Sequence, residues 1–265
     1  MKKYLYRIKL SIMISFWHRS ELLLWLFLDA IPIVIMFFVW QSIYSTKEMI
    51  ESISLPEMLQ YYLLVLVITN ITGSHFESFR VEQIRMGKID FFLLKPFGFL
   101  AEIFWTHIGG KLLYLVLALP FLAALIYLLS QYFPVSMINA PLAVWLVFGA
   151  LLLFGFLVEY LLGLIIVLLG FWFEGSEGLE HFKWISISLF SGAMIPIALL
   201  PEWLQSASYA LPLQYMYGVP INILLDGAVS SDISLLPPVF FICFLILLVT
   251  LLWRKAVHTY ASSGG

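Results

Sequence analysis

Residues 142–171 form one apolar run with a single charged residue, Glu159. A run of this kind restricts the chain more than anything else in it. About 20 apolar residues in a helix cross the hydrocarbon of a bilayer. Backbone polar groups have no water there, so a spanning segment must satisfy them internally. Strands of a membrane barrel alternate apolar and polar residues, and this run does not. Comparable runs occupy 22–40, 58–76, 103–130, 184–200 and 237–253. The reading is an all-α polytopic membrane protein with six transmembrane helices in one domain over 1–265.

Composition agrees. The chain is 62% hydrophobic and 11% charged, against roughly 25% charged residues in soluble domains, and its mean hydropathy is +1.00. The run 142–171 exceeds the bilayer thickness, so it tilts or protrudes. Pro120 suggests a kink in 103–130. The run 184–200 is just long enough to cross and is interrupted by Gly192 and Pro196. Beyond it, 201–220 is rich in prolines and aromatics and too broken to span, which reads as a re-entrant or interfacial hairpin. Residues 41–57 read as a polar loop.

Six spans put both termini on one side. With that count, Lys47 alone of the 14 Lys and Arg residues falls on the opposite side. Bases collect on the cytoplasmic side of membrane proteins, so both termini are expected in the cytoplasm. Residues 2–20 mix Lys2, Lys3, Arg7, Lys9 and Arg19 with Leu5, Ile8, Ile12 and Phe16, which predicts an interfacial helix on that leaflet. These bases are spread too widely for a cleavable signal peptide.

The segment 80–97, between the second and third spans, carries Arg80, Arg85, Lys88 and Lys95 together with Ile84, Ile89, Phe91, Phe92, Leu93 and Leu94. Two readings stand: a docking element for a soluble partner, or an interfacial helix covering its own bundle. Gly87 should break any continuous helix. Asp90 should cap a short turn that Pro96 stops.

Enzyme signatures are missing. The sequence has no GxxxxGK[ST] phosphate loop, no HExxH and no GxSxG. Its one cysteine, Cys243, allows neither an internal disulfide nor a cysteine metal site. The five histidines show no ligand spacing, and no metal or other cofactor is expected in this chain. Two carboxylates, Asp29 and Glu159, fall inside spans, where an ionised group is costly unless paired or wet. Each reads either as a cation or proton site on a transport path or as a neutral group bonded between helices.

Several motifs together resemble the ABC-2-type permeases, in particular a bacterial six-span branch. These are Trp40 ending the first span, the pair Tyr61–Tyr62 opening the second, and Ile84-x-x-Gly87-x-x-Asp90-x-x-Leu93-Leu94-Lys95-Pro96. Phe171–Trp172, the series Gly192, Pro196, Pro201, Trp203, Leu211, Pro212 and Pro220, and the closing Trp253, Tyr260, Gly264 and Gly265 complete the set. Glu159 is not part of that pattern.

The resemblance implies the membrane subunit of an ATP-driven exporter, working by alternating access in a bacterial plasma (inner) membrane. ATP and Mg would be bound by a separate ABC ATPase, and a second permease, a related chain or another copy, would complete the path. Nucleic acid is not an expected partner. Arg85, Gly87, Lys88, Asp90, Leu93, Leu94, Lys95 and Pro96 would form the ATPase-coupling surface. Pro196, Pro201, Trp203 and Pro212 would belong to an outer gate, and Asp29 and Glu159 are candidates for the translocation path. Aromatic walls with acids suit a hydrophobic cation, while lipids, peptides and polyketides fit such walls equally. The rival reading is an ion-coupled carrier or channel that uses Asp29 and Glu159 and needs no ATPase.

Overall fold

The computed structural model describes residues 2–51, 53–90, 98–135, 138–173, 175–229 and 233–259. The described helices are α1 (Lys2–Trp17), α2 (Arg19–Tyr44), α3 (Leu55–Thr72), α4 (Glu77–Arg85) and α5 (Phe99–Tyr132). They continue with α6 (Leu142–Leu169), α7 (Glu177–Phe190), α8 (Glu202–Ala210), α9 (Gly218–Asp226) and α10 (Leu236–Thr259). Among the described residues, five stretches are long and apolar enough to cross a bilayer: α2, Leu55–Arg85 (α3 with α4), α5, α6 and α10.

The expected span at 184–200 takes another form. α7 starts earlier, at Glu177, and has 14 residues, about 21 Å at ~1.5 Å per residue. It stops because Gly192 adopts φ +90 and Pro196 has no N–H to continue a ladder. The chain then makes a short 3₁₀ turn at Ile197–Leu199, helix α8, a second 3₁₀ turn at Pro212–Met216, and α9. The segment expected to be broken is broken into short turns and helices, and the break begins inside the run first read as a span.

Residues 41–57 also hold more than a loop. α2 runs on to Tyr44, and Met49–Ile50 (β1) pairs antiparallel with Ile53–Ser54 (β2). Tyr44 Oη donates to Ile53 O at 2.9 Å. Glu57 accepts from both the N–H and the hydroxyl of Ser54 at 2.7 Å, which fixes the start of α3 by the reciprocal logic of a capping box.

α3 and α6 form the centre. Met58 through Leu66 are all buried, and so are Val158, Val167 and Leu168. Lipid tails give apolar helices little reason to leave them for one another, so close backbone approach matters more. A Cβ on Gly163 would sit 2.5 Å from Glu77 Oε1, and one on Gly170 would sit 2.9 Å from Val81 Cγ2. Along α6, these glycines let α4 lie close.

α1 is a helix, as expected, but it does not stand apart. Arg7 pairs with Glu102, Ser11 Oγ donates to Thr106 O at 2.6 Å, and Tyr4 meets Trp105. A Cβ on Gly109 would come within 2.7 Å of Ile8 O. The partners advance together in sequence, so α1 runs parallel to the first turns of α5. α2 continues alongside, with Phe27 on Phe121 and Phe37 on Phe133. At the end of the bundle where α5 begins, Trp253 of α10 stacks on Phe99 at 5.4 Å. The start of α1 and the last turns of α10 thus share one end.

Candidate functional site

The site is a buried charged knot around the interruption between α3 and α4. Near the end of α3, Asn70 Nδ2 donates to Leu66 O and Thr72 Oγ1 to Ile68 O, each at 2.9 Å. Residues 73–76 then leave the helix, and α4 starts at Glu77. A helix end inside a membrane exposes carbonyls that must find donors. Two lysines supply them. Lys111 Nζ, from α5, donates to Asn70 O at 2.8 Å and Gly73 O at 2.7 Å. Lys183 Nζ, from α7, reaches Ser74 O at 3.3 Å, Glu77 Oε1 at 2.5 Å and Glu159 Oε2 at 3.0 Å. The other oxygen of Glu77 accepts the Phe76 N–H at 2.8 Å and so starts α4.

Aromatic and amide groups close the knot. His107 Nε2 lies 3.0 Å from Ser74 Oγ, and its ring packs among Phe76, Phe156 and Tyr160. Tyr114 Oη donates to Asn70 Oδ1 at 2.6 Å. That hydroxyl has one proton, so Asp29, 3.5 Å away, receives only a long contact from it. Thr69 Oγ1 and Tyr217 Oη, 3.1 Å apart, join α3 to the start of α9. Among the described residues, no three His, Cys, Asp or Glu side chains gather as metal ligands.

Both suspected path carboxylates border this knot, and they differ. Glu159 is buried and ion-paired to Lys183. Asp29 is half-buried, near Tyr114 and within electrostatic reach of His75 and Lys111. Lys111 stands within reach of both acids. Lys111 and Lys183 are the residues that sequence reasoning missed. It counted them only as bases of the cytoplasmic side, yet both point inward.

At the far end of α4, the expected break at Gly87 is present. Gly87 has φ +70, its N–H donates to Ile84 O at 3.0 Å, and Lys88 N–H donates to Gln83 O at 3.0 Å. This is a Schellman stop, in which a left-handed residue after the helix favours glycine. Arg85 and Lys88 are exposed, and Asp90 is half-buried. Ile84 and Ile89 are buried in the chain's own core, and so is Arg80, which donates to Gln83 Oε1 at 2.9 Å. These three side chains cover the bundle itself. Phe91, Phe92, Leu93, Leu94, Lys95 and Pro96 lie outside the described residues, and the turn expected after Asp90 falls there too.

At the opposite end, Tyr61 Oη donates to Gly192 O at 2.7 Å and Tyr62 Oη to Met194 O at 2.9 Å. The tyrosine pair stitches the end of α7 to α3. A cavity of about 430 Å³ opens beside them, lined in part by Glu57, Tyr61, Pro196, Tyr209 and Asp226. Pro212 lines a neighbouring aromatic groove with Phe240 and Phe244. Pro201 and Trp203 are exposed.

This arrangement is a broken central helix, capped by lysines and flanked by a stitched run of short turns and helices. Residues 30–264 match the family described as ABC-2 family transporter protein. The chain is an ABC-2 family permease. No curated protein matches it. As a permease it is a multi-pass membrane transport component, and its family implies partnership with an ABC ATPase. Several of the residues that carried the resemblance have evident physical roles. Trp40 packs on Tyr62, the tyrosines hold the Gly192 break, Trp172 lies under Lys255, and Trp253 stacks on Phe99. Tyr260, Gly264 and Gly265 lie outside the described residues.

Proposed function

We propose that this permease is the membrane subunit of an ATP-driven exporter, with hydrolysis on a separate ABC ATPase and a second permease completing the path. The observation that carries this reading is the end of α4. A Schellman stop at Gly87 presents exposed Arg85 and Lys88 and leads straight into the segment ending at Pro96, on a chain that lacks a phosphate loop. Arg85, Gly87, Lys88, Asp90, Leu93, Leu94, Lys95 and Pro96 form the ATPase-coupling surface in this reading.

α7 with its outer turns counts as the sixth crossing. Lys183 lies beside Glu77 and Gly192 beside Tyr61, so the chain travels antiparallel to α3–α4 over most of their length. The shared end of α1 and α10 supports two termini on one side, and the bases of α1, α4 and α10 support that side being the cytoplasm. The turns holding Pro196, Pro201, Trp203 and Pro212 serve as the outer gate. ATP binding reorients the spans only through its differential affinity for the two states.

The ion-coupled reading is weakened for one of its two acids, because Glu159 is already in an ion pair with Lys183. Affinity purification from detergent-solubilised native membranes tests the proposal. Recovery of a phosphate-loop ATPase with nucleotide turnover is expected. Recovery of the permease alone, with uptake following a proton gradient in ATPase-free vesicles, would overturn it.

A further inference from the structure

Lys183 serves two carboxylates with one charge. Its ammonium lies 2.5 Å from Glu77 and 3.0 Å from Glu159, and all three groups are largely buried. One ammonium is thus shared between two carboxylates. Such a cluster has two arrangements of similar energy: Lys183 committed to Glu77, or Lys183 committed to Glu159.

The two acids belong to different parts. Glu77 is the first residue of α4, which ends at the Gly87 stop. Glu159 is central in α6. Lys183 itself is on α7, which carries the outer turns. α4 lies along α6, whereas polar side chains tie it to α7. These are Lys183 with Glu77 and, one turn earlier on α7, Glu180 accepting from Ser78 Oγ at 2.6 Å. Polar ties of this reach break and reform over small shifts, unlike interlocked apolar faces.

We propose that Lys183 is a two-position clamp: held on Glu77 it locks α4 to α7, and shifted onto Glu159 it frees α4 to move while α7 stays on the core. The clamp gives the coupling surface a physical connection to the outer turns. It rests on the reading that the segment after α4 meets the ATPase. A contiguous route between two sites becomes a mechanism only when a two-state element on it is demonstrated, and the proposal assigns that part to the triad.

Two variants of equal charge separate a clamp from a merely structural triad. Glu77→Gln leaves one neutral pair, Lys183 with Glu159. Glu159→Gln leaves the other, Lys183 with Glu77. Each keeps Lys183 in one ion pair, so both should fold. Spin labels at Glu82→Cys on α4 and Ser206→Cys on α8, in a Cys243→Ser chain in nanodiscs, report the distance between the two regions without any ATPase.

Glu77→Gln is expected to broaden this distance distribution at least twofold, and Glu159→Gln to narrow it below that of the parent. Shifts of the same sign, or none, would overturn the clamp. Glu77→Asp and Glu159→Asp keep the charge and shorten the reach by one methylene. They carry the same opposed expectation, which keeps the test decisive if a neutral variant aggregates. Opposed shifts in a permease that recruits no ATPase would retain the clamp and remove only the proposed function.

Discussion

Removing Lys183 strands two carboxylates at once, so this position should be sensitive to substitution. Breaking a buried ion pair from one side costs about 3–5 kcal/mol, because the remaining charge is left uncompensated. Lys183→Met should therefore lose about that much, read as an early midpoint in detergent unfolding. Asp29→Asn is the contrast. Asp29 is half-buried and its Tyr114 contact is long, so the change should stay within about 1 kcal/mol, as for substitutions away from buried pairs. Equal losses at the two positions would contradict the geometry of the knot. Lys111 is a different case again, since it caps Asn70 O and Gly73 O rather than pairing closely with an acid. Its contacts satisfy carbonyls left open where α3 ends.

At the scale of elements, the two ends of α7 are held differently, and each can be loosened separately. Tyr61→Phe and Tyr62→Phe each remove one hydrogen bond to the chain around Gly192, worth about 1 kcal/mol apiece. The expected result is faster amide exchange across 191–199 with α3 unchanged. Unaltered exchange in the double variant would show that the turns hold themselves. α1 can be detached in the same spirit. Gly109→Leu drives a side chain into Ile8 O and Ser11, where even a Cβ would lie at 2.7 Å. Exchange should rise throughout Lys2–Trp17 and stay low in the second half of α5.

These elements also show what could be read in advance. The apolar runs found α2, α3, α5, α6 and α10, because hydropathy reports on lipid directly. Gly87 and Gly192 marked real breaks, because a positive φ leaves its trace in the residue type. The parallel seating of α1 on α5 was not legible, since it depends on Gly109 and Ser11 meeting across the fold. Nor was the burial of Lys111 and Lys183. A lysine near a span end reads as a surface base, and its partners Gly73, Glu77 and Glu159 are far away in sequence. The shortness of α7 was hidden by an apolar run that continues through its broken end.

For the whole molecule, orientation follows from where the charges collect once the ends of the bundle are known. α1 and the last turns of α10 meet at the start of α5. That end also holds Arg85 and Lys88, while exposed Lys47 follows α2 at the other end. Two of the bases first counted for orientation, Lys111 and Lys183, belong to the buried knot. The proposed orientation therefore rests on the remainder, above all on α1, which has Lys2, Lys3, Arg7 and Lys9 and no acid. Cysteines at Lys9, Lys47 and His258, one at a time in a Cys243→Ser chain, make the test direct, since all three positions are exposed. A membrane-impermeant maleimide added to intact cells should label position 47 and reach 9 and 258 only after permeabilisation. Labelling of 258 without 9 would mean that α7 and its turns do not complete a crossing, and the count would fall to five. Labelling of 9 and 258 without 47 would invert the molecule and move the α4 coupling surface away from any cytoplasmic ATPase.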